Sequence, residues 1–176
     1  MELVTVVPDS SPLIVLAKLE HVDLLTKLHG KVMVTPWVWE EAITKGKAIG
    51  ARDAAYLEKV ALENRFDGVR LTEREKELVQ RLGGEPGIDL GEAEVLAVAS
   101  SRHALAILDD KGARAVAVGL GLPHTGTVGL IFEAFLRRFL SYEDLIELLQ
   151  ELGKVAWVSP ELLARIIRKA GEVEHK

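Results

Sequence analysis

Carboxylates at four places along this chain have the spacing to form one cluster. Asp9 follows the apolar run Leu3-Val4-Thr5-Val6-Val7 and Pro8, and Asp109-Asp110 follow the run Ala104-Leu105-Ala106-Ile107-Leu108. Glu40-Glu41 and Glu92-Ala93-Glu94 each open a helical pattern between those runs. A short apolar run ending in an acid reads as a buried parallel strand that delivers the carboxylate to its C-terminal end. In open α/β sheets that end is where ligands bind. If the two strands are parallel neighbours, Asp9 and Asp109/Asp110 reach the same edge. Carboxylates gathered there repel one another, and they persist when a cation neutralises them.

Each acid also has a local alternative. Asp9 could cap the turn at Ser10-Ser11. Glu40 and Glu41 point about 100° apart on a helix. Val38, Trp39, Ala42 and Ile43 define the apolar face, so Glu41 borders that face and Glu40 points nearly opposite. Both could equally be first-turn acids favoured by the helix dipole. Glu92 and Glu94, two residues apart, cannot share a helical face. Asp89-Leu90-Gly91-Glu92 reads as a capping box with Asp as the cap, and geometry does not choose between Glu92 and Glu94. Asp109-Asp110 could be helix-start acids before Lys111.

The elements that must position these acids alternate between strand and helix. Strands are expected near 3–8, 31–34, 66–71, 104–108 and 121–124. Helices are expected at 12–19 with Ser11 as cap, 21–28, 36–44, 52–63, 72–82, 90–102 and 111–119, with a loop over 45–52 and a break at Gly83-Gly84-Glu85-Pro86-Gly87. This alternation predicts an α/β/α sandwich around a mainly parallel sheet. The last third reads as helices at 127–139, 142–152 and 160–170, started by Ser141 and Ser159-Pro160 and stopped by Gly153 and Gly171. The expected organisation is a single domain over 1–176, with 127–172 a helical C-terminal extension packed on it.

Composition narrows the chemistry. With no cysteine among 176 residues, disulfides, thiolate zinc sites and cysteine nucleophiles are excluded. No apolar stretch approaches membrane length, and a strand begins within three residues of the N-terminus, so a cytoplasmic protein without a signal peptide is expected. Asn64 is the only asparagine, and glutamine and methionine occur twice each, a depletion that with abundant Glu, Lys and Arg points to a thermophile. The net charge of −5 shows no basic stripe of the kind nucleic-acid binders carry, although an acidic site that holds cations contributes to that charge. Gly119-Leu120-Gly121 precedes a strand rather than a helix and is no dinucleotide loop. His21, His29, His103, His124 and His175 lack metal-ligand spacing, and Ser10 and Ser11 lack a partnered base.

Taken in order, the acidic segments resemble the PIN domain, the metal-dependent ribonuclease fold of many prokaryotic toxins. Val7-Pro8-Asp9-Ser10-Ser11-Pro12-Leu13 is similar to the family's opening, in which the strand-end Asp binds metal and the residue two positions later, here Ser11, supports the site. Val38-Trp39-Glu40-Glu41 resembles its V-x-x-E helix and favours Glu41. Gly91-Glu92-Ala93-Glu94 resembles the third acidic segment, and the family's spacing pairs Glu92 with Asp110. Asp109-Asp110-Lys111 with Arg114 resembles the fourth. Thr125-Gly126-Thr127-Val128-Gly129-Leu130 and the closing helices resemble an uncharacterised prokaryotic branch of that family. The third site carries Glu where many relatives have Asp, and the 45–88 segment is longer than in minimal toxins.

The resemblance implies cleavage of RNA phosphodiester bonds with Mg²⁺ or Mn²⁺ held by Asp9, Glu41, Glu92 and Asp110, with Glu40, Glu94 and Asp109 as alternates. It implies supporting or phosphate-contact roles for Ser11, Thr127, Lys111 and Arg114. It raises a small antitoxin protein and a second copy of the chain as partners, alongside the RNA substrate. The contrasting expectation is a catalytically inactive PIN-like module that binds protein or RNA without cutting it.

Overall fold

The computed structural model describes residues 4–64 and 66–174. Leu3 of the first expected strand and His175 lie outside the described residues. By contacts the chain divides into two compact units, residues 1–127 and 128–176.

The first unit is built on parallel strands. β1 (Val6–Pro8), β4 (Leu105–Ile107) and β5 (His124–Thr125) form one sheet in the order β1-β4-β5, and β2 (Met33–Val34) pairs with β3 (Asp67–Gly68). An isolated parallel bridge between Val6 and Val32 links β1 to the approach of β2. The registers Pro8↔Ile107 and Ile107↔Thr125 align the C-terminal ends of β1, β4 and β5. The Asp9 N–H donates to the Ile107 carbonyl at 3.0 Å and extends the ladder by one residue. Asp9 and Asp109-Asp110 therefore do leave the sheet at the same edge. The strands are shorter than the apolar runs that announce them because ladder pairing stops where the neighbour ends. Of the 66–71 run, only Asp67–Gly68 pairs.

Helices flank this sheet. They are α1 (Ser10–Lys18), α2 (Leu24–His29), α3 (Pro36–Trp39), a π-helical stretch (Glu40–Lys45), α4 (Gly46–Ala48), α5 (Arg52–Glu63), α6 (Glu73–Leu82), α7 (Leu90–Arg102) and α8 (Lys111–Gly119). α7 packs against β1 and β4 and also meets α3, α6 and α8. Residues Gly91–Ala99 of α7 are all buried. A helix enclosed on all sides needs no polar stripe, which is how Glu92 and Glu94 are both buried while facing different ways. α1 starts at Ser10, earlier than the expected Ser11 cap, because Asp9 takes the cap position.

The expected loop over 45–52 is a correction. Helical structure runs on through Ala48, with a break only at Ile49-Gly50-Ala51. Gly46 signals close packing there, not a turn. A Cβ at Gly46 would stand 2.6 Å from Ala54 Cβ, so its absence lets the helix lie against α5.

An ion pair between the buried Glu75 and the half-buried Arg102 ties α6 to α7. Glu75, in the capping box with Thr72, accepts from Arg102 Nε at 2.8 Å and Nη2 at 3.0 Å, and from Ser101. Burial pushes the Glu75 carboxyl up, but the hydrogen bonds from Arg102, Ser101 and the Thr72 N–H outweigh it and hold the pKa at about 2. Arg102→Ala leaves that carboxylate buried without its cation, and the expected cost is about 3–5 kcal/mol. Urea unfolding at neutral pH measures it. The linkage runs in the usual direction for a depressed acid. The stabilisation is present above the ordinary value of 4.5 and lost as pH falls toward about 2. The gap between wild type and Arg102→Ala should close over that interval; a gap that is constant with pH shows that the pair contributes packing alone.

The second unit holds α9 (Thr127–Leu136, its first residue at the boundary), α10 (Tyr142–Val155) and α11 (Pro160–Glu174). Ser141 and Asp144 form a capping box at the start of α10. Leu145, Leu148, Leu149 and Leu152 form its buried stripe. Tyr142 meets Phe135 edge-on at 6.3 Å. Gly153 and Gly171 do not stop their helices as expected; each lies inside one. An interior glycine costs only about 1 kcal/mol, less than a packed leucine stripe contributes.

Candidate active site

Asp9 sits at the C-terminal end of β1 and is 7 % exposed. It occupies the N-cap position of α1, yet its side chain makes no cap hydrogen bond. The capping role open to it from sequence is thus not used. Burial pushes the Asp9 carboxyl up to about 7. The Ser10 N–H partly offsets this, and the charges of Asp89, Glu92 and Glu41 add to it.

The other acids come from three helical starts. Thr35 caps α3 ahead of Pro36, and the helix carries Glu41 to the sheet edge, where it accepts from Ser10 Oγ at 2.6 Å. Asp89 and Glu92 face each other in the capping box of α7: Asp89 Oδ1 accepts from the Glu92 N–H at 2.8 Å and Glu92 Oε2 from the Asp89 N–H at 2.9 Å. Burial raises the Glu92 pKa, and Asp89 and Asp110 raise it further against the Asp89 N–H. Asp110 caps α8, its Oδ1 accepting from the Ala113 N–H at 3.0 Å.

The charges of Asp89, Glu92 and Glu41 thus act on Asp9, and those of Asp89 and Asp110 act on Glu92. Sequence reasoning passed over Asp89 as a cap. The signal was present, since a capping box with acid at both ends places two carboxylates side by side.

The alternates are placed elsewhere. Glu40 is exposed. Glu94 accepts from the Trp37 N–H at 2.9 Å, serving the start of α3. Asp109 accepts from the Thr127 N–H at 2.8 Å with one oxygen and from Thr127 Oγ1 at 2.6 Å with the other, pinning the chain after β5 to the end of β4. Thr127 accordingly spends its hydroxyl hydrogen on Asp109. Ser11 is exposed, and the hydroxyl that reaches an acid is that of Ser10. Lys111 is exposed at the start of α8 and Arg114 is half-buried one turn later.

A hard divalent cation is tested here on donor chemistry. The acids are all carboxylates, the donors such ions prefer, and Asp9, raised first by burial and then by the charges of Asp89, Glu92 and Glu41, is a carboxylate that a cation would favour in its charged form. Among the described residues, no group of three such side chains stands together as an ion site. The donors therefore fit a divalent cation in chemical kind and not in assembled geometry.

A parallel α/β sheet with carboxylates gathered at its C-terminal edge defines a nuclease-type fold, that of the PIN domain. Residues 5–172 match the DUF3368 family model, described as a PIN domain, and the chain belongs to that family. No curated protein matches it. PIN domains are generally nucleases that use divalent metal ions, and the fold implies a nucleic-acid substrate. No helix among the described residues is long and apolar enough to cross a membrane.

Proposed function

We propose that this protein is a Mg²⁺- or Mn²⁺-dependent endoribonuclease whose metal ligands are Asp9, Glu41, Glu92 and Asp110. The observation that carries the reading is the Asp9 carboxyl, buried, unused as a cap, and raised to about 7 beside Asp89, Glu92 and Glu41. A divalent cation in such a site makes water a stronger nucleophile and stabilises the charge that builds on a phosphate. The chain's own residues hold and orient. Ser10 fixes Glu41 through its hydroxyl, the capping box holds Glu92 beside Asp89, and α8 holds Asp110 by its cap bond. A toxin role with a small antitoxin partner is the biological setting we propose, and its test is whether the adjoining gene encodes a small DNA-binding antitoxin.

The test is cleavage of labelled single-stranded RNA with Mg²⁺ or Mn²⁺ against excess EDTA, coupled to a calorimetric Mn²⁺ titration. Metal-dependent cleavage supports the enzyme. RNA or protein binding with neither cleavage nor metal uptake supports the inactive module instead. The doubled acids sharpen the assay. Glu41→Gln and Asp110→Asn are expected to abolish cleavage, while Glu40→Gln stays near the wild-type rate, since Glu40 faces solvent. An inactive Glu40→Gln beside an active Glu41→Gln overturns the assignment.

A further inference from the structure

Trp37 stands near acids of the candidate site, packed by its ring edge on α7. It is half-buried at the start of α3. Its N–H is held by Glu94, and its indole edge lies along α7 at Gly91. A Cβ at Gly91 would stand 2.8 Å from Trp37 Cδ1 and 3.3 Å from Asp89 Oδ1. The ring edge and a carboxylate of the cluster therefore meet at one glycine. Over the ring lies Lys45 Nζ, 4.9 Å from the centroid. Lys45 is exposed, so a flexible cationic side chain lies over that side of the indole. Glu41, the acid bonded to Ser10, falls midway between Trp37 and Lys45 on the same helical stretch. The i→i+5 bonding of residues 40–45 alters the helical repeat there, and such stretches recur at functional sites.

An aromatic face beside an exposed cation is the pairing that binds single-stranded nucleic acid, the ring stacking a base and the cation meeting a phosphate. We propose that Trp37 and Lys45 form a nucleotide subsite next to the acidic cluster. A base of single-stranded RNA stacks on the indole, and Lys45 swings off the ring to the adjoining phosphate. The subsite supplies affinity without a basic stripe, in keeping with the net charge of −5. It rests on the nuclease reading for its substrate class, but its test reads binding alone.

The experiment uses the full chain with Asp9→Asn to block cleavage, and Trp39→Phe with Trp157→Phe so that Trp37 is the sole tryptophan. Fluorescence is followed in Mg²⁺ as a short single-stranded RNA is added, and again with an abasic strand of equal phosphate content. The RNA should quench Trp37 and the abasic strand should not. Measured by anisotropy of labelled strands, Trp37→Ala should weaken RNA binding about tenfold and leave the abasic strand unaffected. Trp37→Phe should restore most of the loss, which separates stacking from a folding defect. Lys45→Ala should weaken both strands and reduce the log-log salt slope by about 0.7, the value for one phosphate contact on a single strand. Equal losses for the two strands in Trp37→Ala, unchanged RNA binding in that variant, or no measurable RNA binding each overturn the subsite. Trp37-dependent binding by a protein that never cleaves RNA refutes the nuclease reading and leaves the subsite standing. Cleavage with base-independent binding does the reverse.

Discussion

Asp9→Asn is expected to lower the rate of RNA cleavage at least about 100-fold, because the amide removes a charged ligand worth several kcal/mol of transition-state stabilisation. The site offers little to compensate. The side chain is buried, and the carboxylates that act on it, Asp89, Glu92 and Glu41, are held by neighbouring elements. Steady-state kinetics on a labelled single-stranded RNA measure the effect, which should fall on kcat/KM. Excess EDTA should reduce wild type to the level of the variant. Because the Asp9 carboxyl of the metal-free protein titrates at about 7, ion binding must displace a proton at and below neutral pH, and Mn²⁺ affinity should rise as pH rises through that value. Cleavage that survives both Asp9→Asn and EDTA belongs to a contaminant and ends the assignment.

The same substitution should stabilise the metal-free protein. Asp9 has a folded pKa of about 7 against an ordinary value of 3.8. Between those values the native state holds a proton that the unfolded chain has lost, so wild type gains stability as pH falls from about 7 toward 3.8. The slope from this group is up to about 1.4 kcal/mol per pH unit. Above neutral pH the charged carboxylate stays buried among other acids, and the native state bears the full cost. Asp9→Asn removes the charge and keeps the shape, so in EDTA at pH 8 it should melt above wild type, with the difference shrinking on mild acidification. The Glu75–Arg102 pair acts in the opposite sense at lower pH, so the wild-type optimum should lie on the acid side of neutrality. Saturating Mn²⁺ reverses the order. At a hundredfold excess over Kd it should stabilise wild type by about 2.7 kcal/mol and the variant by less. A melting series in EDTA and in Mn²⁺ decides the matter. If the variant melts below wild type in EDTA and Mn²⁺ shifts neither protein, the acids serve as caps and ion-pair partners.

Features governed by nearest neighbours were legible before any tertiary contact was known. Asp89 with Glu92 forms the capping box expected at the start of α7. Its information lies within four residues, where hydrogen-bond geometry is local. The apolar runs before Asp9 and Asp109 marked buried parallel strands for a comparable reason, because a strand covered on both faces must be apolar throughout. Features that depend on a distant partner were not legible. Gly46 reads as a loop residue until Ala54 is seen 2.6 Å from where its Cβ would be. Gly153 and Gly171 read as stops because their helices' packing partners are invisible in sequence.

By itself, the sequence determined that this is a parallel α/β fold with acids at the strand ends, since periodicity and strand-end chemistry are written residue by residue. Only the tertiary structure decided which acids stand together. Asp109 and Glu94 differ from Asp110 and Glu92 by one or two positions, yet the first two are spent on Thr127 and the start of α3. Glu92 instead acts on Asp9, alongside Asp89 and Glu41, and Asp110 acts on Glu92. The same contacts brought Ser10 to Glu41 and Trp37 to Gly91. Charge and hydrogen bonding act through space, and a pKa near 7 at Asp9 comes first from burial and then from the charges of Asp89, Glu92 and Glu41, which only the folded chain brings near it.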